Sequence, residues 1–206
     1  MQSSVCNRML SVKRRPLGYH GRMIDMALRE QVAQANADLV KAGLVTLSFG
    51  NVSGVDREAN ALIIKPSGVA CDAVQPEDLV VVSLEDGRVL EGTMRPSSDT
   101  PTHLRLYQAF PNLGGAVHTH RSFAAAFAPA GLDIPALGTT HADHFRGAVP
   151  TSRLMTDTEI EGENELETGN VIIETINERT RAAGMRSASS VRPTMVSMMT
   201  LPVSSS

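Results

Sequence analysis

The sequence is poor in several kinds of residue, and each shortage excludes a class of protein. Only 2 cysteines occur in 206 residues, which is too few for a disulfide framework and is typical of a reducing cytoplasm. Aromatic residues make up 3% of the chain and Trp is absent, so no stacking platform for nucleic acid is indicated. Uncharged stretches such as residues 122–132 are far shorter than a membrane span. We therefore expect a cytoplasmic protein with neither a membrane nor a nucleic acid as partner.

Charge is distributed unevenly, although the formal net charge is only −3. Residues 1–23 carry +5 and residues 182–206 carry +2, both without an acidic residue, which leaves −10 on the part between them. An acidic body disfavours nucleic acid as the main ligand, because the phosphates would be repelled. The basic start has the composition of a transit peptide, but we interpret it as a leader outside the fold.

These patterns divide the chain into three parts. Residues 24–181 are predicted to form one domain, because a chain of this length can bury one sizeable core. Residues 182–206 are rich in Ser and Met, contain two prolines and show neither a helical nor a strand period. We predict that residues 182–206 are a disordered tail.

The domain alternates between helical and strand patterns, which indicates an α/β fold. Apolar spacing predicts helices over residues 24–42, with Gly43 just beyond the end, over 121–130, where Ala-rich composition suggests burial, and over 168–181. A fourth helix is predicted to start near Ser98, Asp99 or Thr100 and to run to Phe110. Strands are predicted at residues 44–47, 61–65 and 114–120, and a hairpin with an Asp-Gly turn at 79–90.

Two histidines in the last of these strands are candidate metal ligands. His118 and His120 are two residues apart, so in a strand both side chains lie on one face, about 7 Å apart at Cα. Two imidazoles at that spacing form half of a site for a zinc-class ion, whereas the alternative is a surface strand with two unrelated histidines. The helix that starts near Asp99 leads directly into this strand, so the Asp99 carboxylate could lie nearby. A helix cap explains Asp99 equally well.

Small polar loops are the second candidate feature. Residues 48–54, and Lys65 with the Ser-Gly turn after it, offer backbone N–H groups and small side chains suited to a phosphate. Plain turns and a solvated lysine are the alternatives. In a further predicted loop, residues 138–145, His141 or His144 could bind metal and Asp143 could act as acid or base, unless they are merely solvated.

The domain resembles the class II aldolase/epimerase family, which includes the adducin head domains, and within it the pentulose-phosphate epimerases. The resemblance covers about residues 26–181 and depends on five blocks in the family's order. They are Gly-Leu-Val-Thr-Leu-Ser-Phe-Gly-Asn-Val-Ser at 43–53, Ile-Lys-Pro-Ser-Gly-Val at 64–69, Pro-Ser-Ser-Asp-Thr-Pro-Thr-His at 96–103, Gly-Gly-Ala-Val-His-Thr-His at 114–120 and Gly-Thr-Thr-His-Ala-Asp at 138–143.

The resemblance implies a fold and a set of site residues. The implied fold is a three-layer α/β/α sandwich with a central, mainly antiparallel sheet, truncated at the C-terminus. The implied metal ligands are Asp99, His118 and His120, for Zn²⁺ or another divalent cation, and the implied acid/base is Asp143. The residues implied to contact the substrate and its phosphate are Gly50, Asn51, Lys65, Ser67, Gly68, Ser97 and Ser98. Complete members of the family form homotetramers with sites between subunits.

The activity implied by the resemblance is an isomerase reaction, the interconversion of L-ribulose 5-phosphate and D-xylulose 5-phosphate by retro-aldol cleavage and aldol re-formation. A fuculose- or rhamnulose-phosphate type of aldolase is one alternative, although those enzymes carry Glu at the position of Asp99. A non-catalytic protein that keeps the fold, like an adducin head domain, is the other.

The sequence also departs from the family pattern. The family's third metal-binding His, in a His-Ser-His-Gly-Pro context, and its second acid/base, a Tyr near the C-terminus, have no match here. The pattern ends near Arg181, where the Ser/Met-rich tail begins. We therefore expect impaired activity and weak metal binding from this chain.

Overall fold

The computed structural model describes residues 24–45, 49–144, 147–182 and 197–198. The predicted leader, residues 46–47 of a predicted strand, residue 48 of the predicted loop after it and most of the predicted tail lie outside these ranges. A 3-10 turn occupies Pro76–Asp78. The helices and strands are, in chain order, Met26–Lys41 (α1), Asn51–Asp56 (β1), Ala61–Ile64 (β2), Val80–Ser83 (β3), Val89–Glu91 (β4), Thr100–Ala109 (α2), Gly115–His118 (β5), Ser122–Phe127 (α3), Thr139–His144 (α4), Asp157–Glu161 (α5), Asn164–Ala182 (α6) and Ser197–Met198 (β6).

The strands form one sheet in the order β4-β3-β2-β1-β5-β6. Strands β1 to β5 pair antiparallel with their neighbours, and β6 pairs in parallel with β5. The predicted mainly antiparallel sheet is therefore confirmed. None of the helices in the described ranges is long and apolar enough to cross a bilayer.

Both faces of the sheet are buried. In β2, Leu62 and Ile64 point to one face and pack in the same cluster as Leu106 and Tyr107 of α2. Ile63 points to the other face and packs in a cluster that contains Val32 and Ala33 of α1. Strand residues alternate between faces, so two covered faces favour apolar side chains at successive positions, and all four residues of β2 are indeed apolar and fully buried. Helices on both faces confirm the three-layer sandwich.

The predicted first helix is confirmed, with ends set by local chemistry. The Asp25 carboxylate accepts a hydrogen bond from the Ala27 N–H at 3.0 Å, which caps the start of α1. Gly43 lies just after the end with a φ of 63°, and its N–H donates to the Val40 carbonyl. A positive φ favours glycine, so the helix ends at this point.

The predicted loop over residues 48–54 is wrong in its second half, because Asn51–Asp56 forms the central strand β1. Gly, Ser and Asn are depleted in strands, which is why the composition suggested a loop. In the folded protein Asn51 and Ser53 are buried and hydrogen-bonded to side chains of α2 or the loop before it. Tertiary hydrogen bonds thus override the local preference.

Two further predictions need correction. The predicted buried helix over 121–130 is the short helix α3, which buries no residue and leaves Phe123 84% exposed. The predicted loop over 138–145 contains the helix α4. Small apolar residues made the first segment look like core, but within residues 121–130 only Ala128 is buried. The predicted strand at 114–120 ends at His118.

Candidate functional site

The candidate site lies where β1, β5 and the start of α2 meet. Asn51 on β1 and His118 on β5 are directly opposite each other in the antiparallel register. The residue before α2, Asp99, lies against both side chains. Three segments far apart in sequence therefore meet at one point, and each of them belongs to one of the five sequence blocks.

The Asp99 carboxylate is directed into this site. Asp99 is the N-cap residue of α2, yet its side chain makes no capping hydrogen bond. Its Oδ2 lies 3.1 Å from His118 Nδ1 and also accepts a hydrogen bond from the Asn51 amide. Burial alone would raise the pKa of Asp99, but the hydrogen bond and charge of His118, with His103 and Asn51, lower it to about 2. The carboxylate is therefore ionised at neutral pH.

The two histidines of the motif lie side by side. The ring centroids of His118 and His120 are 4.6 Å apart with an interplanar angle of 29°. His118 is buried, whereas His120 is exposed and meets the ring of Phe49 edge-on at 6.0 Å. Burial, and then the charge of His118, lower the pKa of His120. The carboxylate and both imidazoles thus line one side of the site.

The chemistry of these donors suits a divalent cation. Two imidazoles and a carboxylate are the ligand types that zinc binds in catalytic sites. As the side chains stand, no group of three or more His, Cys, Asp or Glu in the described ranges is arranged to hold a metal ion. In this arrangement the Asp99 carboxylate is paired with His118 and Asn51 instead. The donor set therefore fits a metal by type, and the rings would have to reorient to converge on one.

The polar turns predicted to contact phosphate lie next to one another. An isolated antiparallel bridge joins Pro66 to Pro96, and the Ser97 N–H donates to the Lys65 carbonyl at 3.0 Å. The Asn51 amide donates to Ser97 Oγ at 3.2 Å, which connects these turns to the metal-ligand candidates. Ser67, Gly68 and Ser98 are exposed, and the Ser67 N–H donates to the Arg95 carbonyl at 2.9 Å.

Lys65 and Gly50 have structural constraints of their own. The Lys65 ammonium is buried and donates to the Val69 carbonyl at 2.6 Å and the Pro66 carbonyl at 3.3 Å. Burial lowers its pKa.

Gly50 has a φ of +100°, and a Cβ there would lie 2.8 Å from the His118 carbonyl oxygen. Only glycine fits at this position.

The structure does not bring every predicted residue to the site. Asp143 is exposed on α4, and no hydrogen bond or ion pair within the described ranges joins it to Asp99 or His118. His141 Nε2 lies 2.7 Å from the Gly147 carbonyl oxygen. The side chain of His144 lies outside the described residues.

Sequence reasoning missed other polar residues around the site. Ser53, His103 and Tyr107 form a buried hydrogen-bonded group beside Asp99. Glu165 on α6 is half-buried near the site, and burial, followed by the charge of Asp99, raises its pKa. The four-residue spacing of Asp99, His103 and Tyr107 on one face of α2 is a signal that could have revealed the first group. Glu165 lies in a run of acidic residues and has no such signal.

Comparison with known proteins agrees with this geometry. The family described as Class II Aldolase and Adducin N-terminal domain matches residues 30–187. The curated L-ribulose-5-phosphate 4-epimerases UlaF of Salmonella paratyphi B (strain ATCC BAA-1250 / SPB7) and Salmonella typhi are each 57% identical to the chain over 151 residues. These matches cover 73% of this chain and 66% of each relative, so the chain spans slightly less than two thirds of their length.

Solved structures support the same relationship. An L-fuculose 1-phosphate aldolase matches with 25% identity and a TM-score of 0.60 over 70% of this chain and 69% of that one. The L-fuculose-1-phosphate aldolase of Thermus thermophilus matches with 26% identity and a TM-score of 0.58 over 73% of this chain and 74% of that one. The order of the sequence blocks, the sandwich and these matches agree. The chain belongs to the class II aldolase and adducin N-terminal domain family.

Proposed function

We propose that this chain is an L-ribulose-5-phosphate 4-epimerase, a cytoplasmic isomerase that interconverts L-ribulose 5-phosphate and D-xylulose 5-phosphate. The observation that carries the proposal is the 57% identity to curated epimerases, over a region that includes Asp99 placed 3.1 Å from His118. The Asp side chain at this position favours the epimerases, since the aldolases of the family carry Glu there. The buried, unpaired Cys71 is compatible with a reducing compartment.

In the proposed mechanism Asp99, His118 and His120 hold a divalent cation, with Zn²⁺ as the expected ion. When bound, the cation supplies a Lewis acid that stabilises negative charge on substrate oxygens while the C3–C4 bond is broken. The Asp99 carboxylate, ionised at neutral pH, is available as an anionic ligand. Asn51 donates to that carboxylate and so fixes its orientation.

The polar turns are proposed to hold the substrate phosphate. The exposed residues Ser67, Gly68 and Ser98 are proposed to form this surface together with Gly50, Asn51 and Ser97. A phosphate held there keeps the cleaved aldehyde fragment in place while it rotates, so that the C3–C4 bond can re-form on the opposite face of the carbonyl. The Lys65 ammonium is buried, and its positive charge is proposed to attract the substrate phosphate.

The reaction takes a proton from one C4 hydroxyl and delivers one to the hydroxyl formed on the opposite face. Asp143 is proposed for one of these transfers; the Tyr that carries out the other in the family has no match in this sequence. Asp143 is exposed on α4, and no hydrogen bond or ion pair within the described ranges joins it to Asp99 or His118. A site completed by a neighbouring subunit is consistent with this exposure, and we propose a homotetramer. The exposed side chains of Phe123 (84%) and Leu137 (87%) supply apolar surface for such an assembly.

The test is an NMR assay of the purified full chain, loaded with Zn²⁺ and incubated for hours with L-ribulose 5-phosphate. Slow formation of D-xylulose 5-phosphate is expected, because the sequence contains no His-Ser-His-Gly-Pro segment. Asp99→Asn is expected to lower both the rate and the zinc affinity by at least about 10-fold, since losing an anionic ligand costs no less than losing a group that orients one. Asp86→Asn, a change in the exposed β3–β4 turn, is the control and should leave both unchanged.

Three outcomes would contradict the proposal. No conversion by zinc-loaded protein would exclude the epimerase activity. Net release of a free aldehyde would indicate an aldolase instead. Equal rates for Asp99→Asn and Asp86→Asn would exclude Asp99 from the site. Light scattering on the same sample gives the oligomeric state.

A further inference from the structure

One face of α2 is polar and is buried against β1. Asp99, His103 and Tyr107 are four residues apart, so they lie on the same side of the helix. Their partners, Asn51 and Ser53, are two residues apart on β1 and share a face of the sheet. His103 and Tyr107 are fully buried, and Ser53 is 1% exposed. The contact between helix and strand is therefore a row of polar pairs, and Asp99 is its first member.

The hydrogen bonds in this row are short and consecutive. His103 Nδ1 lies 2.7 Å from Ser53 Oγ, and Ser53 Oγ lies 2.7 Å from the Tyr107 hydroxyl oxygen. The Tyr107 hydroxyl donates to the Ser53 carbonyl at 3.0 Å. The three side chains therefore connect the second turn of α2 to the middle of β1.

The direction of these hydrogen bonds decides where His103 carries its proton. Each hydroxyl has a single hydrogen. If that of Tyr107 is directed to the Ser53 carbonyl, the Ser53 hydroxyl donates to the Tyr107 oxygen and accepts from His103 Nδ1. If Tyr107 instead donates to Ser53 Oγ, the Ser53 hydroxyl donates to Nδ1 and the ring proton is on Nε2. The ring is neutral in both arrangements, in keeping with a pKa that burial lowers to about 4.

The other ring nitrogen of His103 is unusual. Nε2 is buried and has no hydrogen-bond partner within the described ranges. A buried acceptor without a donor costs stability, and an apolar side chain at this position would avoid that cost. The imidazole is thus an unfavourable choice for packing alone, which indicates that its hydrogen bond to Ser53 has a role beyond packing.

We propose that His103 is a positioning residue: a neutral imidazole, protonated on Nδ1 and bonded to Ser53, that fixes the start of α2 against β1 and so orients the Asp99 carboxylate beside His118. The proposal rests on the proposed function only in assuming that Asp99 and His118 hold a metal ion. Side chains that orient a ligand from behind change metal affinity by about 10- to 100-fold when removed.

The first test compares zinc affinity, measured by competition with a chelator, across variants of the full chain. His103→Asn can place its amide N–H near the position of Nδ1 and should bind zinc as the unmodified chain does. His103→Leu has no donor and should bind about tenfold more weakly. Leu104→Ala, on the same helix but directed into the apolar core, is the control for lost stability. Each variant is also unfolded in urea.

The proposal is overturned if His103→Asn and His103→Leu bind zinc equally, or if the affinities of all variants simply follow their urea midpoints. A second measurement needs no metal: long-range ¹H–¹⁵N correlation on the zinc-free chain should show the His103 ring protonated at Nδ1. Protonation at Nε2 would overturn the proposal. If the unmodified chain binds no zinc while Nδ1 carries the proton, the proposed function fails and the assignment of the hydrogen-bonded row still holds.

Discussion

The sequence allows two explanations for Asp99, a helix cap or a carboxylate of the site, and only its neighbours in the folded protein distinguish between them. An Asp just before a helix is normally an N-cap, and Asp99 occupies that position. Its carboxylate makes no capping bond and instead contacts His118 and Asn51. We infer that contacts with residues distant in sequence are more favourable for this carboxylate than a capping hydrogen bond. One of those contacts is with an imidazole. This makes Asp99 the residue on which the proposed chemistry depends.

His103 predicts a pH dependence of stability at the residue scale. Its folded pKa is lowered to about 4 by burial, below the ordinary value of 6.5. Between these two values the unfolded chain binds a proton that the folded protein does not. The stabilisation is therefore complete above pH 6.5 and is lost as the pH falls toward 4, by at most about 3 kcal/mol. Urea unfolding at a series of pH values measures this loss.

The variant His103→Asn supplies the comparison for that measurement. It has no group that titrates between pH 4 and 6.5 at this position, so its free energy of unfolding should depend less steeply on pH. Identical pH profiles for the two proteins would show that His103 is accessible to protons in the folded state, against its complete burial.

At the scale of elements, α2 is held in place at both ends by residues of β1 or just after it. Asn51 contacts the residue before the helix, and Arg57 closes the far end. The Arg57 guanidinium donates to the carbonyls of Tyr107, Phe110 and Leu113 at 2.9 to 3.1 Å. Carbonyls at a helix C-terminus lack partners within the helix, so a partly buried cation beside them satisfies several at once.

Replacing Arg57 tests this closure. Arg57→Met keeps most of the aliphatic length but removes all donors, leaving partly buried carbonyls without partners. We expect a loss of about 1–3 kcal/mol in the free energy of unfolding. Arg88→Met, in the exposed turn of the β3–β4 hairpin, should change it by less than about 0.5 kcal/mol. Similar urea midpoints for both variants would show that Arg57 is not the cap.

At the scale of the whole molecule, the sheet and residues 122–161 differ in the interactions that stabilise them. Strands β2 and β3 are completely buried, whereas neither α3 nor α5 buries a residue. Surface ion pairs join this segment to α6: Arg153 contacts Glu174 at 2.9 Å, and Arg179 contacts Asp133. Exposed ion pairs contribute little stability. The segment therefore depends less on burial than the sheet does.

This difference predicts the pattern of amide hydrogen exchange. In the dissociated chain, peptides from residues 122–144 and 147–155 should exchange through local opening, well before peptides from β2, which should open only on global unfolding. The proposed homotetramer would instead protect residues 122–144 around Phe123 and Leu137. Mass spectrometry of the full chain measures both sets in one experiment, and α6 provides an internal reference of intermediate burial. Equal protection of the two sets would mean that the segment is covered, for instance by a second copy of the chain.

The sequence by itself determined the features that depend on neighbouring residues. Helix α1, strand β2 and the β3–β4 hairpin were predicted correctly, because apolar period and turn residues act locally. The five blocks also identified the family. Composition failed where tertiary contacts compensate for poor local preference, as in β1, and where apolar residues lie uncovered, as in α3.

Only the tertiary structure decided how the site is assembled. The pairing of Asn51 with His118, the turn of Asp99 away from its cap position and the hydrogen bond of His103 to Ser53 all depend on strand register and on how α2 docks. These contacts join residues that are far apart in the chain. A local pattern can predict that a segment is a helix or a strand, but it does not encode which atoms of distant segments meet.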